Sequence, residues 1–433
     1  MADLLELSAR LIDEGNSDEP ANRVTTELSE VADGIAVIEA FSHVVVFRTD
    51  AGLVLFDTSL EMFAEGILKS LRGWTDAPVH TVVYTHGHVD HVGGARAILD
   101  ESRGRSAQDA KVVSHENLPA RFARYQLTNG YNAVINARQF GGGRIGGGMA
   151  GGAELSFGPA AWVEPDTTFR DRLRTRIGDV EIEYRHARGE TDDHLWAWLP
   201  GLRTICAGDF VTWVFPNAGN PQKVQRYPLE WAGALREMAG LGAELLLPAH
   251  GLPIGGAERV RGVLDDLASA LESLVEQTLG LMNDGARLDT ILHSVSLPRE
   301  LLDKPYLRPI YDEPEFVVRN IWRLYGGWYD GNPAHLKPPA ERAFAEQVAG
   351  LAGGVEALVA RARDLSESGD ERVACQLIEL ATQAEPESRE AHAARSEIYE
   401  QRRKSELSLM ARGIYRWAAR ESAKIADAPD GSG

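Results

Sequence analysis

The chain has 433 residues, 44% of them hydrophobic, enough for more than one domain with a substantial core. Its 45 lysines and arginines against 64 aspartates and glutamates leave a formal charge of -19. That argues against nucleic acid or an anionic membrane as the main partner, while a metal centre would still admit an anionic small substrate. The two cysteines, Cys206 and Cys375, lie in unrelated segments and indicate neither a disulfide framework nor a thiolate metal cluster. The N-terminus "MADLLELSARLIDEGNS" is acidic and amphipathic with no basic region leading an apolar stretch, and no later run would span a bilayer. A soluble cytoplasmic protein is expected.

In chain order, "IAVIEAFSHVVVFRTDAGLVLFDTS" predicts short strands with a hairpin turn at "RTDAG". An amphipathic helix follows over "EMFAEGILKSLRGW", then the strand "HTVVYT", the helix "GGARAILDESRG" and the strand "AKVVSHENL". Strand, loop, helix, strand is the order of an α/β layer protein, with functional residues at the carboxyl ends of strands. The glycine-dense segment from Asn129 to Gly158 is expected to be an extended loop. Strand signals return in "TRIGDVEIEYRHA", "DDHLWAWLPG", "RTICAGDF" and "AELLLPAHG". After Gly256 the pattern turns helical, and from about Pro338 it becomes a series of helices separated by Gly, Ser, Asp or Pro turns. The expected division is 1–290 and 291–433, with a disordered tip at "ADAPDGSG".

The densest chemistry lies in "HTVVYTHGHVDHVGG", where His86, His88, Asp90 and His91 fall at i, i+2, i+4 and i+5 behind an apolar run. Loop histidines are ordinary, but this spacing is hard to explain without a ligand. His86 and His88 can turn toward one ion, while Asp90 and His91 reach a second on the other side of the loop. Neutral imidazoles with a hard carboxylate suit zinc, and iron or manganese as well.

"THGHVDH" resembles the signature of the metallo-β-lactamase superfamily of binuclear metallohydrolases. The resemblance implies an αββα sandwich, followed here by an all-helical C-terminal region, with two divalent ions at one edge between the sheets. It also implies further ligands at later strand ends. The third histidine of that pattern, usually in a Gly-His pair, is matched by Gly189-Glu190 in "ARGETDDH". The bridging aspartate is matched by Asp209 in "CAGDF" and the last histidine by His250 in "LLLPAHG". The implied set is His86, His88 and Glu190 on one metal, Asp90, His91 and His250 on the other, and Asp209 between them.

Glutamate at position 190 resembles the alkylsulfatase branch of the superfamily. So do "SHENLPARFARYQLTNGYNAVINARQFG", similar to that branch's core insert, and "RLYGGWYDGNPAHLKP", similar to its dimerisation motif. The implied function is hydrolysis of an organic (alkyl) sulfate monoester by metal-activated water, with C–O cleavage, in a homodimer formed through the helical region. The branch's sterol-carrier-like domain and export signal have no counterpart here, and its bridging residue tends to be a glutamate. A compact or medium-length organic group is therefore expected rather than a long detergent chain.

Asp90, Asp209 and His194 are the expected catalytic residues, His194 as a proton shuttle or a donor behind the ligands. Arg121, Arg124, Tyr131 and Asn132, in the insert, are candidates to hold the anionic group, alongside an ordinary ion-pair reading of both arginines. Trp213 and Phe215 either line an apolar slot or pack the core. His186 is expected to lie behind the ligands rather than among them. The alternatives are hydrolysis of a lactone, carboxylic ester, amide or phosphoester, iron-based redox chemistry, and a non-enzymatic assembly protein. The last is disfavoured because all seven ligand positions are filled.

Overall fold

Alternating apolar side chains build two sheets that share one core. In the computed structural model, which describes residues 3–15, 19–106, 109–142 and 162–428, the first sheet has seven strands in sequence order. They are β1 (Leu28–Ala32), β2 (Ile35–Ile38), β3 (Val44–Thr49), β4 (Gly52–Phe56), β5 (Val79–Val83), β6 (Lys111–His115) and β7 (Thr167–Phe169). β1 to β4 form an antiparallel meander, and β4 to β7 run parallel. The β3–β4 turn falls at Asp50-Ala51, as the Asp-Ala-Gly signal predicts.

The second sheet contains β8 (Arg172–Ile177), β9 (Val180–His186), β10 (Leu195–Leu199), β11 (Thr204–Gly208), β12 (Leu245–Pro248) and β13 (Ile254–Gly255). Only its β11–β12 pairing is parallel. Strand β10 shows how one sequence serves two layers. Leu195, Ala197 and Leu199 face the other sheet, in a core with Val45, Phe47, Val54, Phe56 and Val83. Trp196 and Trp198 face the opposite way, into a core with the helices Pro228–Ala239 and Ala257–Asn283. The helices Ala64–Trp74 and Ala95–Arg103 bury Ile67, Leu71, Ile98 and Leu99 on the first sheet's side. The result is the αββα sandwich expected from the sequence.

The described residues form two compact units, 3–132 with 162–327 and 133–142 with 328–428. The boundary expected near residue 290 moves to Gly327. The cause is the helix Pro314–Tyr325, whose Val317, Val318 and Ile321 are buried in the same core as Ala257–Asn283. The second unit has its own core, made by Leu358, Val359, Ile378, Ala381 and Ile398 of the helices Val355–Glu367, Glu371–Ala384 and Arg389–Ser405. Asn129–Gln139 is helical rather than part of an extended loop. The glycine-dense stretch beyond it, 143–161, and the tip 429–433 lie outside the described residues. Among the described residues no single helix is long and apolar enough to cross a membrane.

The loop after β5 is seated by a close backbone approach. A Cβ on Gly94 would lie 2.2 Å from the Thr58 carbonyl oxygen, while Gly94 N–H donates to Ser59 O at 3.0 Å. Gly94→Ala is therefore expected to cost about 1–3 kcal/mol through forced backbone displacement. Gly233, exposed on its helix with nothing within 4 Å of an added Cβ, is the contrast, and Gly233→Ala should gain up to about 1 kcal/mol. Urea unfolding of both variants checks this, and equal midpoints would contradict the seating of that loop.

Candidate metal centre

The ligand-type residues stand where strands end. β5 leads through Tyr84 and Thr85 to His86 and His88, and a single helical turn, Val89–Val92, carries Asp90 and His91. Glu190 lies between β9 and β10, Asp209 directly follows β11, and His250 follows β12. Gly208 turns the chain at φ 54°, where a Cβ would press within 2.7 Å of the His194 ring. These elements gather the seven residues into two groups, His86, His88, Glu190 and Asp209 in one, and Asp90, His91 and His250 in the other.

Asp209 Oδ2 lies 3.8 Å from His86 Nε2 and 3.4 Å from His91 Nε2, so one carboxylate faces both groups. Its Oδ1 is 3.6 Å from His250 Nε2. His88 Nδ1 is 3.5 Å from Glu190 Oε1, and Asp90 Oδ2 is 3.5 Å from both His91 Nε2 and His250 Nε2. His86 and His91 are fully buried, whereas His88, Asp90 and His250 keep 20%, 20% and 19% of their side-chain surface, so the centre opens on their side.

Charge crowding shows in the acid–base properties. Burial disfavours the charged His91 ring, but Asp209, Asp57 and Asp90 outweigh it and hold His91 well above its ordinary value. Burial would raise Asp209, yet His91 and His250 pull it far below the usual carboxylate range. Burial pushes Glu190 up to about 7, with Arg226 opposing and Asp209 reinforcing the shift. His86 and His88 are driven well down by burial and by neighbouring positive charge, and so are neutral donors.

The Metallo-beta-lactamase superfamily model matches residues 37–250, and the Alkyl sulfatase dimerisation model matches residues 287–424. The chain carries a metallo-β-lactamase domain followed by an alkyl sulfatase dimerisation domain. Similar proteins include a linear primary-alkylsulfatase from a Pseudomonas strain, 26% identical over 86% of this chain and 72% of the relative. An (R)-specific secondary-alkylsulfatase from Pseudomonas sp. is 28% identical over 88% of this chain and 60% of the relative. The solved structure of a stereoselective inverting sec-alkylsulfatase from Pseudomonas sp. superposes with a TM-score of 0.79 at 25% identity, over 94% of this chain and 66% of the other. The chain thus spans 60% to 72% of the length of those two curated relatives.

Within this metallo-β-lactamase domain the donor set fits two divalent ions. Two donors sharing one zinc at about 2.1 Å and a tetrahedral angle stand roughly 3.4 Å apart, close to the imidazole–carboxylate spacings here, whereas His86 Nε2 and His88 Nδ1 stand in hydrogen-bond contact at 2.8 Å. His91 Nε2 and Asp209 Oδ1 are buried with no hydrogen-bond partner, and both face the centre, where a bound ion would satisfy them.

Behind the ligands lies a layer that sequence reasoning did not single out. Asp57, buried at the end of β4 with φ 60°, accepts from His91 Nδ1 at 2.7 Å and from Thr85 N and Oγ1 at 2.8 Å. That aims His91 Nε2 inward. Glu190 Oε1 accepts from Arg226 Nη1 and Asn217 Nδ2, both at 2.5 Å. Asp193 Oδ2 accepts from Gly87 N–H at 2.8 Å and holds the loop between the first two histidines. Lys223 is lowered to about 8 by burial and by Arg226, against the pull of Glu190 and Asp90. The one local signal was an aspartate closing the buried strand "LVLFD"; the others come from far along the chain.

Several expected roles change. His194 is fully buried, stacks on His86 with ring centroids 4.6 Å apart, and accepts from Asp209 N–H at 3.1 Å. It holds the backbone of Asp209 and has no exposed nitrogen for shuttling protons. Arg121, 3% exposed, spends its guanidinium on Asp193 at 2.6 Å and on Asp192, so it anchors the β9–β10 loop rather than an anion. Arg124 lies against the Tyr125 ring, Tyr131 is 63% exposed, and Asn132 turns back onto Thr128 of the preceding turn. Trp213 and Phe215 are core residues. Trp213 Nε1 donates to Leu252 O at 2.7 Å, and its ring fills the space that a Cβ on Gly251 would need. His186 Nδ1 bonds His194 O at 2.8 Å, away from both groups.

Asp57→Asn keeps size and shape but presents an amide that cannot accept from both His91 and Thr85 in the same way. It should weaken zinc binding about 10- to 100-fold while leaving circular dichroism unchanged. Chelator-competition titration measures this, and undiminished affinity would remove Asp57 from the centre.

Proposed function

We propose that the chain hydrolyses an organic (alkyl) sulfate monoester with two divalent ions held by His86, His88 and Glu190, by Asp90, His91 and His250, and by Asp209 between them. The observation carrying this reading is that one buried carboxylate, Asp209, faces both ligand groups, in a chain whose relatives along most of its length are alkylsulfatases. Imidazole and carboxylate donors support zinc, with iron or manganese as chemically compatible substitutes. Bound there, the ions would supply an activated water and Lewis acidity toward the ester.

The protein's own groups do the rest. Asp57 and His194 keep His91 and Asp209 in place, so little reorganisation accompanies the reaction. Glu190 is fixed by Arg226 and Asn217, and the partly open rim of His88, Asp90 and His250 admits the substrate. Lys223 and the two ions support an anionic substrate on an otherwise acidic protein. Sulfate leaves as a weak base, so attack at carbon needs no proton donor on the leaving group, and none is needed from the buried His194.

A defined secondary alkyl sulfate in oxygen-18 water tests the reaction. Label is expected in the alcohol, and label in the sulfate would overturn attack at carbon. Asp209→Asn should abolish turnover in a folded, metal-analysed sample. Hydrolysis of a lactone or carboxylic ester with no turnover of any sulfate ester would move the activity to the alternative class.

We also propose a homodimer formed by the dimerisation region. Supporting it are large apolar side chains left in water, with Trp328, Phe344 and Leu351 at 69%, 54% and 90% exposure. Light scattering at micromolar concentration should give about twice the chain mass of 47.3 kDa. A monomer mass would end this part of the reading.

A further inference from the structure

Glu190 owes its two short hydrogen bonds to a stretch of chain with no regular structure of its own. Arg226 and Asn217 both lie on the connection from β11 to the helix Pro228–Ala239, which contains neither helix nor strand between Phe210 and Tyr227. A loop that must place two donors on one buried oxygen needs its backbone held from outside.

The holder is the segment 308–323. Arg308 O accepts from Phe215 N–H at 3.0 Å. Asp312 Oδ2, fully buried, accepts from Gly219 N–H at 2.6 Å and Asn220 N–H at 3.1 Å. Gly219 lies so close to Phe316 that a Cβ would come within 2.5 Å of its backbone carbon. Asn320, 3% exposed, then closes on residue 226 itself. Its Nδ2 donates to Arg226 O at 3.0 Å, and its Oδ1 accepts from Arg226 N–H at 3.4 Å and Gln225 Nε2 at 2.9 Å. Arg323 Nη2 also donates to that Oδ1 at 3.2 Å. Arginine can only donate, so it settles which end of the amide faces which group. One side chain thus pairs with both backbone groups of Arg226, as a neighbouring strand would.

We propose that residues 308–323, although inside the stretch that matches the dimerisation family, are part of the metal centre, and that Asn320 is a positioning residue that sets Glu190 through Arg226. The inference rests on the two-ion reading above. Its reach is selective. Glu190 belongs to the group with His86 and His88, whereas Asp90, His91 and His250 are oriented by Asp57 and their own strand ends. Loosening Asn320 should therefore weaken one ion and spare the other.

The test uses zinc titration of the full chain in single-group backgrounds. Wild type should take up two ions per chain; fewer would defeat the two-ion reading itself, and this inference with it. In a His250→Ala background, which leaves the Glu190 group, adding Asn320→Asp should lower zinc affinity about tenfold, the lower end of what losing an outer partner costs. Aspartate keeps the shape and the acceptor but replaces the donor to Arg226 O with a charged acceptor, which that carbonyl repels. In a His88→Ala background, which leaves the other group, the same change should alter affinity less than about twofold. Asn320→Leu should repeat the pattern, and if it fails to fold, Asn320→Asp decides alone. Gln225→Ala, which removes the neighbouring contact but not the bonds to residue 226, should have no selective effect. Equal losses in both backgrounds, or no loss in either, would overturn the proposal.

Discussion

Burying charge is the constraint that organises this protein. Glu190 and Asp209 are withdrawn from water and Asp90 nearly so, beside four imidazoles, at the edge of a sheet-on-sheet core. Each unpaired ion there would cost several kcal/mol after relaxation. The chain answers with a graded set of partners. Asp57 takes the far nitrogen of His91, His194 the backbone of Asp209, and Arg226 with Asn217 Oε1 of Glu190, the oxygen that also faces His88. Enough negative charge then remains toward the centre to favour a divalent cation over protons. Burial disfavours the charged His91 ring, yet Asp209, Asp57 and Asp90 hold it well above its ordinary pKa, so the carboxylates favour positive charge at this place.

The seven inner residues were legible in the sequence for a local reason. Each follows a strand that announces itself by apolar alternation or a buried run, and ligand chemistry is rare enough at such places to stand out. "THGHVDH" needs no tertiary information to be noticed. The layer behind it had no such mark. Arg226 is 36 positions from Glu190 and Asn320 another 94 beyond, and nothing in "VQRYP" or "VVRNIW" distinguishes them from ordinary helix-flanking text. Asp57 closes a strand as the ligands do, but only its contact with His91 gives it meaning.

The misplacements have a common physical origin. Arg121 was readable as an anion holder or as an ion-pair partner, and only the fold decides for the second, because Asp192 and Asp193 come from another loop. Trp213 and Phe215, readable as a slot or as core because they flank the presumed site, are core, since a glycine at 251 lets the indole pack beneath the His250 loop. The sandwich itself followed from period-two alternation in strands such as β10. The boundary did not, because the helix Pro314–Tyr325 has the same apolar stripe whichever core receives it.

Glu190 brings these threads to one point. The superfamily pattern that this chain resembles has a histidine in its place, a neutral donor that needs no counterion. Replacing it with a carboxylate adds a negative charge to a site already holding Asp90 and Asp209, and burial, reinforced by Asp209, pushes Glu190 up to about 7 even with Arg226 beside it. Arg226 opposes that rise, but an arginine buried to 2% can do so only if its own backbone is fixed and its fork directed. The fixing comes from Asp312 and Asn320, which tie down a connection that has no ladder of its own. A single change of ligand type therefore carries with it a cation, an irregular loop and a helix to hold that loop. On this reasoning Glu190, Arg226 and the segment 308–323 form one interdependent set rather than three separable features.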